Sequence, residues 1–473
     1  MSTVSTLADV HVLVAGAGGI GCPAVWALAA AGVGRITLLD PDVVERSNLP
    51  RQILYRDADL GAPKAVQAAA ALGRMGFATD VRARHAALDH TNAQALLADV
   101  DVLVDATDGA HAKDWLNQLA VRRGVALVHA AGLRAEARLL SIAPGGRPCL
   151  TCLFGRLTEE TGSCADLGVW NGAVGVVGFL AAQRAIQRAT GCDGATGRYA
   201  VLDFEVGRAT GLRVAADAAC PVCAGEPAAV EPYPDEPLGC AAETPAPPAP
   251  SGYLDLGAER CPLNLLRARR ALADLPFGAV LEIRLGAEGA ATVPDGVRAL
   301  GHTVLSEVPA GAGLDLRVQV GAPATATPAL DGEILQRYAR QIVLPEVGER
   351  GQRTLLEASV WLGGEGPAAA AARRYLEAAG VGSFVDRPAE ADVCAWAGGL
   401  EAPDLPADAV RLVRGEAGVQ ASRTAGPALG AYDVAAPVAL AWGALLADLV
   451  QRVLVLAEAP AGTLHIGATG TPA

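Results

Sequence analysis

The stretch His11–Asp40, HVLVAGAGGIGCPAVWALAAAGVGRITLLD, decides the fold. His11–Ala15 is an apolar run of strand length, and Gly16-Ala-Gly18-Gly19-Ile-Gly21 follows it directly. A helix is expected from about Gly19 to Ala31. Arg35–Leu39 reads as a second strand that closes on Asp40. A strand, a GxGxxG turn, a helix and a strand ending in an acid bring backbone N–H groups up to a phosphate. The acid can then bond ribose hydroxyls. On its own the unit serves NAD-dependent enzymes as well as adenylating ones.

Around this unit lies a chain of 473 residues, long enough for two to four domains. It is 51% hydrophobic and 19% charged, so it can build sizeable cores. Lys+Arg 38 against Asp+Glu 51 gives a net charge of −13, which argues against nucleic acid or an anionic membrane as main partner. Near the C-terminus the longest uncharged apolar run, Val434–Ala447, has 14 residues, too few to span a bilayer. No basic segment precedes the first apolar run, so a secretory signal is not expected and the cytoplasm is the expected compartment. Only two of the basic residues are lysines, Lys64 and Lys113. In so arginine-rich a chain, a lysine points to a job that needs a compact charge.

Composition divides the chain into three segments. Residues 1–243 alternate apolar strands with alanine-rich helices, which predicts an α/β domain with a mainly parallel sheet. Residues 244–251, TPAPPAPS, form a Pro/Ala linker. Residues 252–322 form a small βα-type block, and 331–473 a third segment. The third segment reads as a weak copy of the first. VWLGGEGPAAAAARRYLEAAGVGSFVD, ending at Asp386, parallels the opening unit, and ADVCAWAGG (391–399) parallels VDVLVDATDG (100–109). Such a repeat predicts a pseudo-dimer folded from one chain, with a homodimer as the alternative.

The residues after Asp40 narrow the chemistry. Asp40-Pro-Asp42-Val-Val-Glu45-Arg-Ser-Asn48-Leu-Pro-Arg51-Gln52 is strongly polar, Gly61-Ala-Pro-Lys64 opens a second helix, and strand Val102–Val104 ends in Asp105-Ala-Thr-Asp108. Asn48, Arg51 and Lys64 suit a triphosphate, and Asp108 at a strand's carboxyl end suits Mg²⁺. Hydride transfer needs no such set. Cys149-Leu-Thr-Cys152 and Cys220-Pro-Val-Cys223 are paired CxxC knuckles, the spacing of a closed, structural Zn²⁺ site.

GAGGIG, AAGVGRITLLDPDVVERSNLPRQILY, DLGAPKA, VDATDG, PCLTCLF, SCADLGVW and CPVC together resemble the ThiF/MoeB adenylyltransferases, relatives of ubiquitin-activating enzymes. The resemblance implies ATP-dependent activation of the C-terminal glycine of a small ubiquitin-like sulfur carrier ending in Gly-Gly. It implies that Asp40 holds the ATP ribose, that Asn48, Arg51 and Lys64 hold the phosphates, and that Asp108 binds Mg²⁺. Gly16, Gly18, Gly19, Gly21 and Gln52 complete the expected nucleotide set. Cys164, in TGSCAD, matches a cysteine that in this family can bond covalently to the activated carrier. The family's DCTDN reads DATDG here, and SNLQRQ reads SNLPRQ.

Cys261 lies in LDLGAERCPLNLLRARRAL, where a short strand is expected to turn into a helix. A helix N-terminus stabilises a thiolate, which suits a persulfide carrier. Residues 253–306 resemble the TusA/SirA sulfur-transfer proteins, a small α/β sandwich, with Cys-Pro-x-Pro replaced by Cys261-Pro262-Leu263-Asn264. The upstream donor would be a persulfide source of the cysteine-desulfurase type. In the third segment Glu365 stands in the glycine turn, which disfavours phosphate, so this Rossmann-like half is expected to be inactive. It retains Tyr338-Ala-Arg340-Gln341, which matches a family helix whose arginine reaches a partner's ATP site; Arg340 is thus an expected arginine finger. The competing readings are adenylation of a peptide C-terminus in natural-product modification, and a non-catalytic carrier-binding scaffold.

Overall fold

The computed structural model describes residues 6–157, 168–192, 196–224, 252–260, 262–275, 279–300, 302–320, 330–344, 346–397, 405, 409–415, 418–422, 436–456 and 465–466. They form two compact units. The first holds the described residues up to 157, those of 169–224 and those from 351 onward; the second holds 168 and the described residues of 252–350.

The first unit begins with strand β1 (His11–Ala15), helix α1 (Gly21–Ala30) and strand β2 (Arg35–Leu39). Every residue of β1 is buried, as its unbroken apolar run demands of a strand covered on both faces. There follow α2 (Lys64–Arg74), β3 (Asp80–Arg84), α3 (Ala93–Leu96), β4 (Val102–Asp105), α4 (Ala110–Arg123), β5 (Ala126–Leu133) and β6 (Glu136–Ile142). Next come α5 (Leu150–Phe154), α6 (Asn171–Ala189), β7 (Arg198–Asp203) and β8 (Arg208–Arg213). The eight strands lie in the order β3-β2-β1-β4-β5-β6-β7-β8. Strands β3 to β5 are parallel, and β6 to β8 continue the sheet antiparallel. This is the mainly parallel, Rossmann-like sheet that the sequence predicts.

The second unit holds β9 (Gly252–Leu256), α7 (Leu263–Ala273), β10 (Val280–Leu285), α8 (Ala287–Ala299), β11 (Thr303–Ala310), β12 (Gly313–Gln319) and α9 (Gly332–Ile342). Its strand order is β11-β12-β10-β9, with β9 and β10 parallel. Alternation along β12 places Leu314, Leu316 and Val318 in a core with Leu272 and Val293. In α9, Asp331 caps the N-terminus by accepting the Ile334 N–H at 2.9 Å.

After α10 (Gly348–Glu357) the chain builds a second sheet within the first unit. It comprises β13 (Ser359–Gly363), α11 (Gly366–Ala379), β14 (Ser383–Phe384), β15 (Val393–Trp396), β16 (Val410–Gly415), β17 (Gly418–Ser422), α12 (Ala436–Leu456) and β18 (His465–Ile466). Its order, β14-β13-β15-β16-β17-β18, repeats β2-β1-β4-β5-β6-β7, including the change from parallel to antiparallel pairing.

The two sheets meet through α6, α11 and α12. Gly172 and Gly175 make the close approach possible. A Cβ on Gly175 would stand 2.3 Å from the Tyr375 ring, and one on Gly172 2.5 Å from the Asp448 Cβ. Tyr375 packs edge-to-face on Phe179 at 6.2 Å. Arg452 donates to Asp448 at 2.8 Å and lies over the Trp170 ring, both charges being buried. Burial pushes the Asp448 carboxyl up from its usual range, with Arg452 opposing. Helix α12 has 21 residues and exceeds the uncharged run because this i,i+4 pair lets it continue through Asp448. By length and composition α12 could cross a bilayer; here it is a buried core helix.

Candidate active site

The glycine turn sits where β1 and β4 end side by side. Gly16 has φ +100°, and a Cβ there would lie 2.6 Å from the Ala106 carbonyl oxygen, so only glycine fits. Its N–H donates to the Leu39 carbonyl at 2.8 Å. Gly21 accepts a still closer approach, with a Cβ position 1.9 Å from the Gly16 oxygen. Above Gly18 a Cβ would meet only the Gln52 amide, at 3.8 Å, which leaves the outer side of the turn open. Asp40 is buried and accepts from the Ala17 N–H at 2.7 Å and the Asp42 N–H at 2.8 Å. Burial pushes its carboxyl up; nearby Lys64 and the two N–H groups oppose this.

The polar stretch after Asp40 folds back over that turn. Arg51 lies against Gly19, its Cγ 3.4 Å from the ideal Cβ position, and its guanidinium donates to the Ser47 carbonyl at 2.7 Å. Asn48 is buried and accepts the Glu45 N–H at 3.0 Å, which closes a one-turn cap. Gln52 is buried beside Gly18, and its Oε1 has no hydrogen-bond partner among the described residues. Lys64 opens α2, and its buried Nζ donates to Asp42 at 2.7 Å. Tyr55 links the parts, its hydroxyl donating to the Ala17 carbonyl at 2.8 Å. Asp108 is exposed just beyond β4, on the loop that runs past Gly16. The structure thus brings together Gly16, Gly18, Gly19, Asp40, Arg51, Gln52 and Lys64. Cys22, beneath the turn, is a packing residue, its thiol pushed up to about 12 by burial.

A network absent from the sequence reading underlies the Asp108 loop. Asp105 is fully buried and bonds His129 Nδ1 at 2.7 Å, Lys113 Nζ at 3.3 Å and the Thr107 hydroxyl at 2.7 Å. Lys113 also donates to the Ala130 carbonyl at 3.0 Å. Burial alone would raise the Asp105 carboxyl, yet Lys113, His129 and Thr107 together hold it well below the usual carboxylate range. Burial pushes His129 down, with Asp105 opposing. The signal for this network was present: Lys113 is one of only two lysines.

Cys149, Cys152, Cys220 and Cys223 converge, with all four sulfurs within 4.8 Å of one another. Four thiols so close, three of them buried, fit a tetrahedral metal with no open position. Asn117 anchors the first knuckle by accepting the Leu150 N–H at 2.9 Å. Cys164 and Cys261 lie outside the described residues; α7 begins two residues after position 261. Arg340 lies on α9 of the second unit.

The second sheet holds the matching crevice in altered form. Gly364 keeps φ +105°, as Gly16 does. In register, Gly363 pairs with Trp396 as Ala15 pairs with Asp105. Trp396 stacks on Trp361 at 6.2 Å and 8°. A Cβ on Gly363 would meet the Trp361 indole at 2.2 Å, so that ring covers the strand end.

Comparison with known proteins finds the ThiF family over residues 2–222 and sulfurtransferase TusA over 252–320. Adenylyltransferase and sulfurtransferase MOCS3 of Bos taurus is 43% identical over 187 residues, 39% of this chain and 41% of that protein. SAMP-activating enzyme E1 of Haloferax volcanii is 40% identical, over 37% of this chain and 66% of its own length. The molybdopterin-synthase adenylyltransferase of Escherichia coli is 36% identical over 46% of this chain and 88% of its own. The chain therefore spans under half the length of the bovine relative. Among solved structures, E. coli MccB with ATP matches at TM-score 0.39 and 22% identity, covering 46% of this chain and 67% of that one.

Proposed function

Because this chain belongs to the ThiF family, we propose that it is a cytoplasmic ATP-dependent adenylyltransferase that activates the C-terminal glycine of a small ubiquitin-like sulfur carrier and passes sulfur to it. The observation that carries this reading is the gathering of two cations, Arg51 and Lys64, and the Gln52 amide about one glycine turn beside Asp40, a set that phosphates need and a hydride does not. The open turn above Gly18 receives the phosphates, and Asp40 receives the ribose. Arg51 and Lys64 offset the charge that develops on the departing pyrophosphate. Asp108 is exposed and takes no hydrogen bond or ion pair among the described residues, so its carboxylate could hold a hard cation; bound there, Mg²⁺ would neutralise phosphate charge. The four cysteines would hold one structural Zn²⁺.

In this reading a carboxylate oxygen of the carrier attacks the α-phosphorus, the bond to the β-phosphate breaks and pyrophosphate leaves. A persulfide sulfur from Cys261, directly or through Cys164, then displaces AMP, and a reducing thiol releases the thiocarboxylate. The persulfide comes from an upstream donor of the cysteine-desulfurase type. The third segment, 331–473, acts as a degenerate pseudo-adenylation half, with 1–243 as the active domain and 252–322 as the relay.

ATP–pyrophosphate exchange against a panel of small diglycine-ended proteins tests the reading. Exchange that depends on one of them is expected. Cys261→Ser should keep that exchange and lose thiocarboxylate formation, read by the mass of the carrier. Exchange driven by a peptide C-terminus instead, or ATP binding without exchange, would overturn it.

A further inference from the structure

Arg134 has a left-handed backbone, φ +52°, and among the described residues it is the only non-glycine with positive φ. It sits in the two-residue connection between β5 and β6, where Leu133 pairs with Glu136. Glycine or asparagine would hold such a position at less cost. The conformation is fixed from outside: Arg134 bridges to Val169, and its carbonyl accepts the Trp170 N–H at 3.0 Å.

This hairpin tip belongs to the wall of the nucleotide crevice. Strand β5 overruns β4 by four residues past the Asp105–His129 pair, so its carboxyl end projects beyond the sheet edge at which the glycine turn lies. Val174 of α6 spans the gap. One of its methyls lies 2.8 Å from the ideal Cβ position of Gly132 and the other 3.2 Å from that of Gly19. Asn171, one turn earlier, donates to the Pro50 carbonyl at 2.9 Å, beside Arg51. The tip, the α6 N-terminus and the phosphate-facing segment therefore form one framework.

The charge at the tip is uncommitted. Arg134 is exposed and takes no ion pair among the described residues. The carboxylates nearest it in register are occupied: Glu136 pairs with Arg138, and Asp203 accepts the Glu205 and Val206 N–H groups. Lys64 and Arg51 are bonded to Asp42 and to the Ser47 carbonyl. In a chain of net charge −13, an incoming anionic terminus meets at this rim a guanidinium with no ion pair among the described residues.

We infer that Arg134 is a substrate-specificity residue, its guanidinium binding the C-terminal α-carboxylate of the protein to be adenylated. This deepens the functional reading above and rests on it. A guanidinium bonds a carboxylate with two parallel N–H···O bonds and binds a neutral acyl group far less well. Arg134 therefore recognises the substrate before reaction and lets go once the carboxylate has become the acyl-adenylate. The fixed backbone sets the point on the rim from which the side chain reaches, while the guanidinium itself is ordered only by the carboxylate it binds.

The test is binding, without ATP, of a diglycine-ended protein that supports exchange and of the same protein made with a C-terminal amide. Wild type is expected to prefer the carboxylate roughly 10- to 100-fold. Arg134→Gly, which relieves the backbone, should lose that preference, keep its ATP affinity and melt about 1–3 °C higher. Arg134→Lys should keep part of the preference as a point charge. If Arg134→Gly keeps the full preference, or loses ATP affinity and stability together, the inference fails while the functional reading stands. If wild type exchanges with no diglycine-ended protein, the functional reading fails, and this inference with it.

Discussion

The two sheets of the first unit share one strand order and differ in what their carboxyl ends hold. In the first, Asp105 ends β4 and ties together Lys113, His129 and Thr107 beneath the Asp108 loop. In the second, Trp396 occupies the paired position and stacks on Trp361. Both keep the left-handed glycine that starts the turn. The second sheet thus has the strand register and the glycine conformation of the first without its buried charged cluster, since register and glycine conformation are set by packing alone. A buried carboxylate also needs all its partners at once. Once such a network goes, an aromatic pair is a stable replacement.

Asp108→Ala should separate the two crevices most sharply. Exchange should fall by roughly 10³ or more, because the second crevice supplies no substitute. Residual exchange near the wild-type rate in a folded variant would mean the second half is not inert. Asp105→Asn probes the network below. It leaves Lys113 buried without a counter-charge and should cost about 3–5 kcal/mol at neutral pH. Because the folded Asp105 carboxyl lies below its unfolded value, its contribution is present above the carboxylate range and lost as pH falls towards the folded value. The gap between wild type and variant in denaturant unfolding should therefore be wide at pH 7 and narrow on acidification. A gap independent of pH would contradict the network.

The contact between the halves can be weakened with Tyr375→Ala, which empties the space against Gly175 and Phe179. A loss of about 3 kcal/mol is expected. Tyr375→Phe should be neutral or stabilising, since the buried hydroxyl has no hydrogen-bond partner among the described residues. Equal losses in both would show that the hydroxyl is used. The smallest effect concerns Arg340. If the fused half lends it as an arginine finger, Arg340→Ala should slow exchange roughly tenfold with little change in melting temperature. An unchanged rate would confine the third segment to a structural role.

Much of this was legible in the residues. The apolar run of β1, the glycine spacing and the acid at Asp40 specify a local unit, and local units can be read from period and turn chemistry. The knuckle cysteines were legible for the same reason, each pair being close in sequence. What was not legible depends on distant pairing. Asp105 and His129 are brought together only by the register of β4 on β5. The Arg134 conformation arises from a bridge to Val169, far along the chain. Helix α12 runs on beyond the 14-residue uncharged stretch because Arg452 neutralises Asp448 inside it, a pairing that shows only once both lie on one helical face. The placing of residues up to 350 with the small four-stranded unit, and of those from 351 with the first, follows from packing that no composition shift marks.

The glycine-lined seam between α6 and the helices α11 and α12 joins parts of a single polypeptide. A pairing between separate subunits obeys mass action and comes apart on dilution. Tethered partners instead meet at a fixed effective concentration, in the millimolar range for short flexible connections. Specific activity should therefore stay constant down to nanomolar enzyme. Among the described residues one crevice carries the charged set, so in the proposed reading a single chain holds one working site.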